Sequence, residues 1–488
     1  MRAHQRPLFW QPATHLTAVA LLLAVPPAVR AQTGVDSMID GVIAKTVGAA
    51  APRQAVRSGS AGEGEGARAE TVQAPSARYG IGAGSPVFPE GIEYSVQISR
   101  MIQQISNPYR LPDTAGDQRR SDLAVADEVR AAAIIPLASE RTRLLASAAF
   151  GNVDYRDQSR LDYRPHSFKA TLQWRAGDLF QGSVSASDRV RLNRYMATSW
   201  PERDLLKQRA FSADAGLRIT ESLILPVVSL SQASTRNEFT FNQQLYNRDD
   251  SKVQISGVYM GRDDSYVTVG ISRVRSSYPD RTPLQIQQLD RAYTDTEYFV
   301  NGMWQYSPKT ALEAYAGWRQ RRYATLADRS IDFITADLRA HWDYSVKTAF
   351  LAHLWHQPFG NEEDPAILYS TLTGGRLTLR WSASEKTWLS LNVVRERQRN
   401  YRTAAGGVSE TMSWRFGPRL EWRVHRNILL TLDGWREHVT GAGYPGYGST
   451  VIRAGVTFDL GNGSKQAARL HIREECDPPR FLDTLLCR

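Results

Sequence analysis

Residues 411–423 read Thr411-Met412-Ser413-Trp414-Arg415-Phe416-Gly417-Pro418-Arg419-Leu420-Glu421-Trp422-Arg423. Successive side chains of a strand point to opposite faces. Met412, Trp414, Phe416, Pro418, Leu420 and Trp422 therefore form one row, and Ser413, Arg415, Gly417, Arg419, Glu421 and Arg423 the other. One row is apolar and the other ionic. Two architectures accept such a strand. A soluble sandwich tucks the apolar row against a second sheet, whereas a transmembrane β-barrel turns it to lipid and gives the polar row a water-filled interior.

The same alternation recurs across residues 91–460. Phe168, Ala170, Leu172 and Trp174 alternate with Lys169, Thr171 and Gln173. Phe211, Ala213, Ala215, Leu217 and Ile219 alternate with Ser212, Asp214, Gly216 and Arg218, and Ile334, Ala336, Leu338, Ala340 and Trp342 with Thr335, Asp337, Arg339 and His341. Short turns are expected at residues 136–141, 175–178, 220–222, 261–264, 307–309, 343–347, 382–386 and 424–426, about every 40 residues. Eight such turns join sixteen strands, and one strand before them (92–102) and one after (450–460) make eighteen. A propeller blade packs four short strands into that period, but here there are two long ones. An even number of antiparallel strands, with short turns at one end and longer connections such as 196–204, 276–290 and 357–365 at the other, predicts an all-β fold. The expected architecture is an outer-membrane, up-and-down β-barrel of about 18 strands. Trp174, Trp342, Trp381 and Trp422 all fall beside short turns, the level of an interfacial girdle.

The ends of the 488-residue chain differ from its body. Residues 1–31 have the layout of a cleaved signal peptide, with Arg2 and Arg6 before an apolar run at 16–25 that is well short of the roughly 20 residues a spanning helix needs. Residues 32–90, rich in Ala, Gly, Ser and Glu, read as a flexible periplasmic leader. Residues 461–488 form a C-terminal tail carrying both cysteines, Cys476 and Cys487, which an oxidising compartment is expected to pair as a disulfide. A metal or redox pair is the weaker alternative, since further ligands and Cys-x-x-Cys spacing are missing. The formal charge is +10, of which Arg2, Arg6 and Arg30 leave with the signal, and the remaining excess favours an anionic partner.

Transferred to a barrel, the alternation puts Lys169, Arg218, Arg339, Arg376, Arg380, Arg415, Arg419, Arg423 and Arg453 on the inner wall, with Asp214, Asp337, Glu421 and Asp433 as a smaller set of acids. A basic lumen of arginine forks suits carboxylate, sulfate or phosphate groups. The plain alternative is a polar wall stiffened by ion pairs. Tyr155, Tyr163, Tyr195, Trp200, Tyr246, Tyr278, Tyr323 and Tyr401 near the loops suit either sugar stacking or loop packing. Catalytic signals are poor. His353 and His356 fall on opposite faces of a strand, which argues against a shared metal, and no metal site is assigned. The acids Asp249-Asp250 and Glu362-Glu363-Asp364 read as solvated loop residues rather than a hydrolytic pair. No Gly-x-Ser-x-Gly, Walker or dinucleotide pattern is present, so neither an enzyme nor a cofactor is expected.

Ser106-Asn107-Pro108-Tyr109-Arg110-Leu111-Pro112, Arg119-Arg120-Ser121-Asp122, Asn152-Val153-Asp154-Tyr155-Arg156 and Arg160-Leu161-Asp162-Tyr163 resemble segments of EpsL-type outer-membrane proteins of exosortase-associated exopolysaccharide loci. The resemblance extends over the barrel at the level of hairpin pattern, while the leader and the tail depart from it. It implies an outer-membrane location and an exopolysaccharide substrate, and it supplies no catalytic residues. The expected function is export of an acidic exopolysaccharide through a basic lumen. The expected partners are outer-membrane lipid, the polysaccharide and a periplasmic export or co-polymerase protein, and no nucleic acid is expected. A general or anion-selective porin and a glycan-modifying barrel enzyme are the alternatives.

Overall fold

The computed structural model describes residues 92–114, 121–137, 139–177, 179–192, 203–220, 222–261, 265–359, 366–402, 407–441 and 444–460. The expected signal peptide, leader, cysteine-bearing tail and the acids at 362–364 lie outside the described residues.

Eighteen strands follow one another among the described residues. The first six are β1 (Glu93–Ile105), β2 (Asp122–Leu137), β3 (Ser139–Tyr155), β4 (His166–Ala176), β5 (Phe180–Leu192) and β6 (Leu205–Arg218). Next come β7 (Leu223–Asn237), β8 (Arg248–Met260), β9 (Tyr266–Ser277), β10 (Ala292–Ser307), β11 (Thr310–Tyr323) and β12 (Ile331–Asp343). The last are β13 (Thr348–Phe359), β14 (Ile367–Ser384), β15 (Thr387–Arg402), β16 (Val408–His425), β17 (Ile428–Gly441) and β18 (Tyr444–Asp459). Each pairs antiparallel with its sequence neighbours, and β1 closes the ring on β18 with Gln97 opposite Asp459 and Ile105 opposite Val451. Closure leaves no open sheet edge, the condition for a sheet to stand in lipid.

Burial decides between the two architectures open to residues 411–423. On β16 the apolar row is the exposed one, with Trp414 at 43%, Phe416 at 44% and Trp422 at 47%, whereas Gly417 of the opposite row is buried. The pattern repeats around the ring. Ile98, Ile102 and Val129 on β1–β2, Val267, Val269 and Ile271 on β9, and Leu377 and Leu389 on β14–β15 are exposed, while polar partners such as Ser99, Thr268 and Ser272 are buried. A soluble sheet buries its apolar row. This inversion, carried round a closed ring, is that of a transmembrane barrel.

The short turns fall where the chain breaks its alternation, between β2 and β3, β4 and β5, and so on through β16 and β17. The opposite rim is longer but uneven. Its β7–β8 connection contains α1 (Thr240–Tyr246) and its β9–β10 connection α2 (Pro283–Leu289), whereas β17 and β18 stay paired up to Gly441 opposite Tyr444. α2 starts at Thr282, whose hydroxyl accepts from Gln285 N while the Gln285 side chain caps Thr282 N in return, and Pro283 supplies the fixed φ of a first helical residue.

Candidate functional site

The inward rows divide into sectors. From β18 through β2, inward Ser95, Ser99, Glu128, Arg130, Arg453 and Thr457 are all buried, packed by their neighbours on the wall. From β8 to β12 the same holds for Lys252, Gln254, Thr268, Asp295, Glu297 and Thr335. Between these lie two walls on each of which a run of inward polar side chains is only half-buried, although Ser183 on β5 and Ser370, Glu396 and Asn400 on β14–β15 are buried. Lys169, Thr171, Gln173, Ser185, Ser187, Ser212 and Ser229 line one, on β4–β7. Arg376, Thr378, Arg380, Ser390, Asn392, Arg415 and Arg419 line the other, on β14–β16. β5 and β14 stand nine strands apart in a ring of eighteen, so these walls face each other across the lumen.

Charge is segregated between the two kinds of sector. The filled ones hold compact ion-pair groups. Arg321 binds Asp295 through two nitrogens at 2.8 and 2.9 Å, Arg319 donates to Glu297 at 2.8 Å, and Thr335 Oγ1 donates to the other Glu297 oxygen at 2.7 Å. Arg453 grips Asp433 at 2.8 and 2.6 Å, and Arg130 lies 2.8 Å from Glu128. The half-buried walls are cationic. Arg143, Lys169, Arg175, Arg189 and Arg191 share β3–β5 with no inward acid among their described residues, Asp214 on neighbouring β6 being taken by Ser183 Oγ at 2.8 Å, and Arg376, Arg380, Arg415, Arg419 and Arg423 line β14–β16 with two acids, Glu421 and the buried Glu396.

All nine residues read as inward-facing from the sequence take inward register positions, but not in one environment. Arg339 donates to Asp337 at 3.1 Å and Arg453 is buried on Asp433, so both belong to ion-pair groups. Arg419 pairs with Glu421 at 2.8 Å. Arg415 lies over the Trp435 ring at 5.6 Å, and Arg423 over Trp388 at 4.8 Å. Arg376 stands opposite His353 and Val394, Arg380 opposite Ala349 and Ser390, and Lys169 opposite Ser147 and Ser187. Arg218 sits at the foot of β6, donating to the Thr220 carbonyl at 3.3 Å. Glu128, Asp250, Asp295, Glu297, Glu396 and Glu437 are inward acids beyond the four expected. They sit on strands whose apolar row is broken by small or polar residues, which hides the period.

Trp342, Trp381 and Trp422 project outward beside the short turns at 46–47% exposure. Trp174 does so at the foot of β4, lying over Gly182, where a side chain would meet its ring. Trp304 and Tyr306 on β10 join this level. Their strand, with Glu297, Asn301 and Met303 in its inward row, does not advertise the pattern.

The segment 106–114 after β1 bends into the mouth. Asn107 braces it, donating to the carbonyls of Leu111 at 2.8 Å and Gly448 at 3.3 Å and accepting from Leu111 N at 2.9 Å. Arg110, held at φ 53°, reaches down to Glu437 on β17 at 3.2 Å. Tyr109 joins Val153, Tyr155, Leu161 and Tyr163 in a buried apolar cluster at the outer end of β3. Tyr155 and Tyr163 are therefore core residues and unavailable to a sugar. Tyr278 is likewise buried, with Arg281 over its ring at 3.6 Å, and Tyr401 stacks on Tyr369 at 4.4 Å. Tyr246 and Tyr323 are half-buried, while Tyr195 and Trp200 lie outside the described residues.

His353 faces inward on Asp337 at 2.6 Å and His356 outward on Thr373 at 2.7 Å. Asp249 and Asp250 are split in the same way, the first paired with Arg236 outside and the second with Arg248 and Ser276 inside.

No family model and no curated protein matches the chain. Among solved structures, the outer membrane protein OpdK of Pseudomonas aeruginosa aligns at 10% identity over 75% of this chain and 99% of its own, with a TM-score of 0.44. OccK2 (OpdF) of the same organism aligns at 9% identity over 76% of this chain and 98% of its own, with a TM-score of 0.45. The siderophore receptor PirA, also from Pseudomonas aeruginosa, gives 11% identity, 75% and 80% coverage and a TM-score of 0.38. The ring closure, the inverted burial and the alternating rims establish this chain as a closed, eighteen-stranded outer-membrane β-barrel.

Proposed function

We propose that the barrel is a passive conduit for small anions across the outer membrane, guided between two cationic walls. The observation that carries this reading is the segregation of charge. Buried acids are consumed by neighbouring arginines in the filled sectors, while cations predominate where the inner wall meets water. Cations at intervals along a wetted wall lower the barrier to anion entry and raise it for cations, while each contact stays weak enough to release the solute. The in-bent segment 106–114 narrows the mouth and favours small solutes. Trp174, Trp342, Trp381 and Trp422 would set the inner membrane level.

A second reading, export of an acidic polysaccharide, draws on the extension of the cationic rows from Arg189 and Arg191 near the outer end to Arg175 and Arg423 at the foot, together with the resemblance at 106–112. Proteoliposome swelling with gluconate, glucose and a cationic amino sugar of similar size tests the first. Gluconate should enter fastest, and Arg376→Gln/Arg380→Gln/Arg415→Gln/Arg419→Gln should reduce that preference to what the facing β3–β5 wall supplies while the barrel stays folded. If gluconate and glucose enter the parent equally, the cationic walls play no part in selection. Periplasmic retention of exopolysaccharide in a deletion strain, reversed by complementation, would instead favour export.

A further inference from the structure

The outward rows of β15–β17 change character abruptly with height. From the foot of β15 they run Leu389, Leu391 and Val393, then Arg395, Arg397 and Arg399. On β17 they run Leu430 and Leu432, then Gly434, Arg436 and His438. Arg399 is taken by Glu410 at 2.5 Å, and Glu410 is the one carboxylate among the described outward residues of this upper wall. Arg395 and Arg436 are exposed, Arg397 is half-buried, and none of the three has a hydrogen-bond or ion-pair partner among the described residues. Trp414 on β16 stands between Arg395 and His438, directly opposite each in register. Its ring is 43% exposed and 6.0 Å from that of His438.

A guanidinium aimed at hydrocarbon without a partner is costly, so these cations mark the level where the apolar layer ends. Short turns mark the periplasmic rim, which puts that level in the outer leaflet. β15 and β17 are two strand spacings apart, roughly 10 Å. Arg395 with Arg397 and Arg436 with His438 therefore meet separate anionic groups. A phospholipid with a single phosphate does not bridge them, but a sugar headgroup carrying two phosphates does, its ring against Trp414.

We propose that the outer wall of β15–β17 binds a phosphorylated glycolipid of the outer leaflet, of the lipid A class, with Arg395, Arg397 and Arg436 as forks for its phosphates. The site is independent of what passes through the lumen. Native mass spectrometry of the full chain in detergent, offered bis-phosphorylated lipid A, its dephosphorylated form or phosphatidylglycerol, tests it. The parent should retain the bis-phosphorylated lipid about tenfold better than either other lipid. Arg395→Gln/Arg397→Gln/Arg436→Gln should lower that retention to the dephosphorylated level while keeping the mobility of a folded barrel on an unheated gel. Arg273→Gln/Arg275→Gln, which removes two exposed cations from β9, should leave it unchanged. Equal retention of the three lipids by the parent overturns the proposal without recourse to any variant. So does undiminished retention by the folded triple variant, or an equal loss from the β9 pair.

Discussion

Arg110→Ala removes the guanidinium that holds the segment 106–114 in the mouth, and its cost follows from the burial of the pair it breaks. Arg110 and Glu437 are 3.2 Å apart, with side chains 8% and 3% exposed, and Tyr447 Oη donates to Glu437 at 3.2 Å. Stripping one partner from a buried ion pair costs on the order of 3–5 kcal/mol, because the remaining charge loses its neutraliser. Tyr447 stays in place and lumenal water can follow, so the lower end, about 3 kcal/mol, is expected. That corresponds to about a hundredfold rise in the opened population of the segment. A second effect runs the other way. Arg110 has φ 53°, a left-handed conformation that costs a residue with a Cβ on the order of 1 kcal/mol or more. Arg110→Gly should therefore open the segment several-fold less than Arg110→Ala, although both lose the same ion pair. Hydrogen–deuterium exchange of peptides covering 106–114 reads both effects. Exchange unchanged within about threefold in Arg110→Ala, or faster in the Gly than in the Ala variant, would refute the tether and the backbone argument respectively.

Other consequences are equally concrete. Arg453→Met should cost about 3–5 kcal/mol in urea unfolding by stranding Asp433, while Arg453→Met/Asp433→Leu should recover most of it; equal losses in both would mean the pair is not a unit. Asp290, buried between two outer connections, accepts backbone N–H bonds from Arg291 at 2.6 Å, Thr325 at 2.6 Å and Leu326 at 3.0 Å. Burial pushes its carboxyl up, but these donors outweigh burial and hold it below the usual carboxylate range. A depressed folded-state pKa contributes stability that is complete above the unfolded value of about 3.9 and is lost as pH falls through the folded one. Amide protection at Thr325 and Leu326 should accordingly be flat above about pH 5 and fall in more acid solution, and Asp290→Asn should remove that dependence.

The barrel was legible because lipid outside and water inside impose a period of two on every strand. Phe168 to Trp174, Ile334 to Trp342 and the stretch around Trp414 carry that period unbroken. The short turns stood out because little chain is needed at the periplasmic rim. The inner wall was legible only where the alternation was clean. Asp295, Glu297 and Glu437 sit on β10 and β17, where Gly302, Met303, Gly434 and Trp435 interrupt it, so the acids that neutralise much of the lumen went unread. The mouth was not legible at all. Arg110 finds Glu437 across 327 residues of sequence, and its inward course depends on a left-handed φ and on the braces from Asn107, which local pattern does not encode. Tyr155 and Tyr163 near the loops look like any exposed aromatic until the fold surrounds them with Val153 and Leu161.

The most direct test is the reversal potential of the purified chain in a planar bilayer under a potassium chloride gradient. Conductance with a reversal potential displaced toward that of chloride is the predicted result, as cationic walls on β3–β5 and β14–β16 require. A cation-selective current, or a folded barrel that passes no ions, would contradict the account.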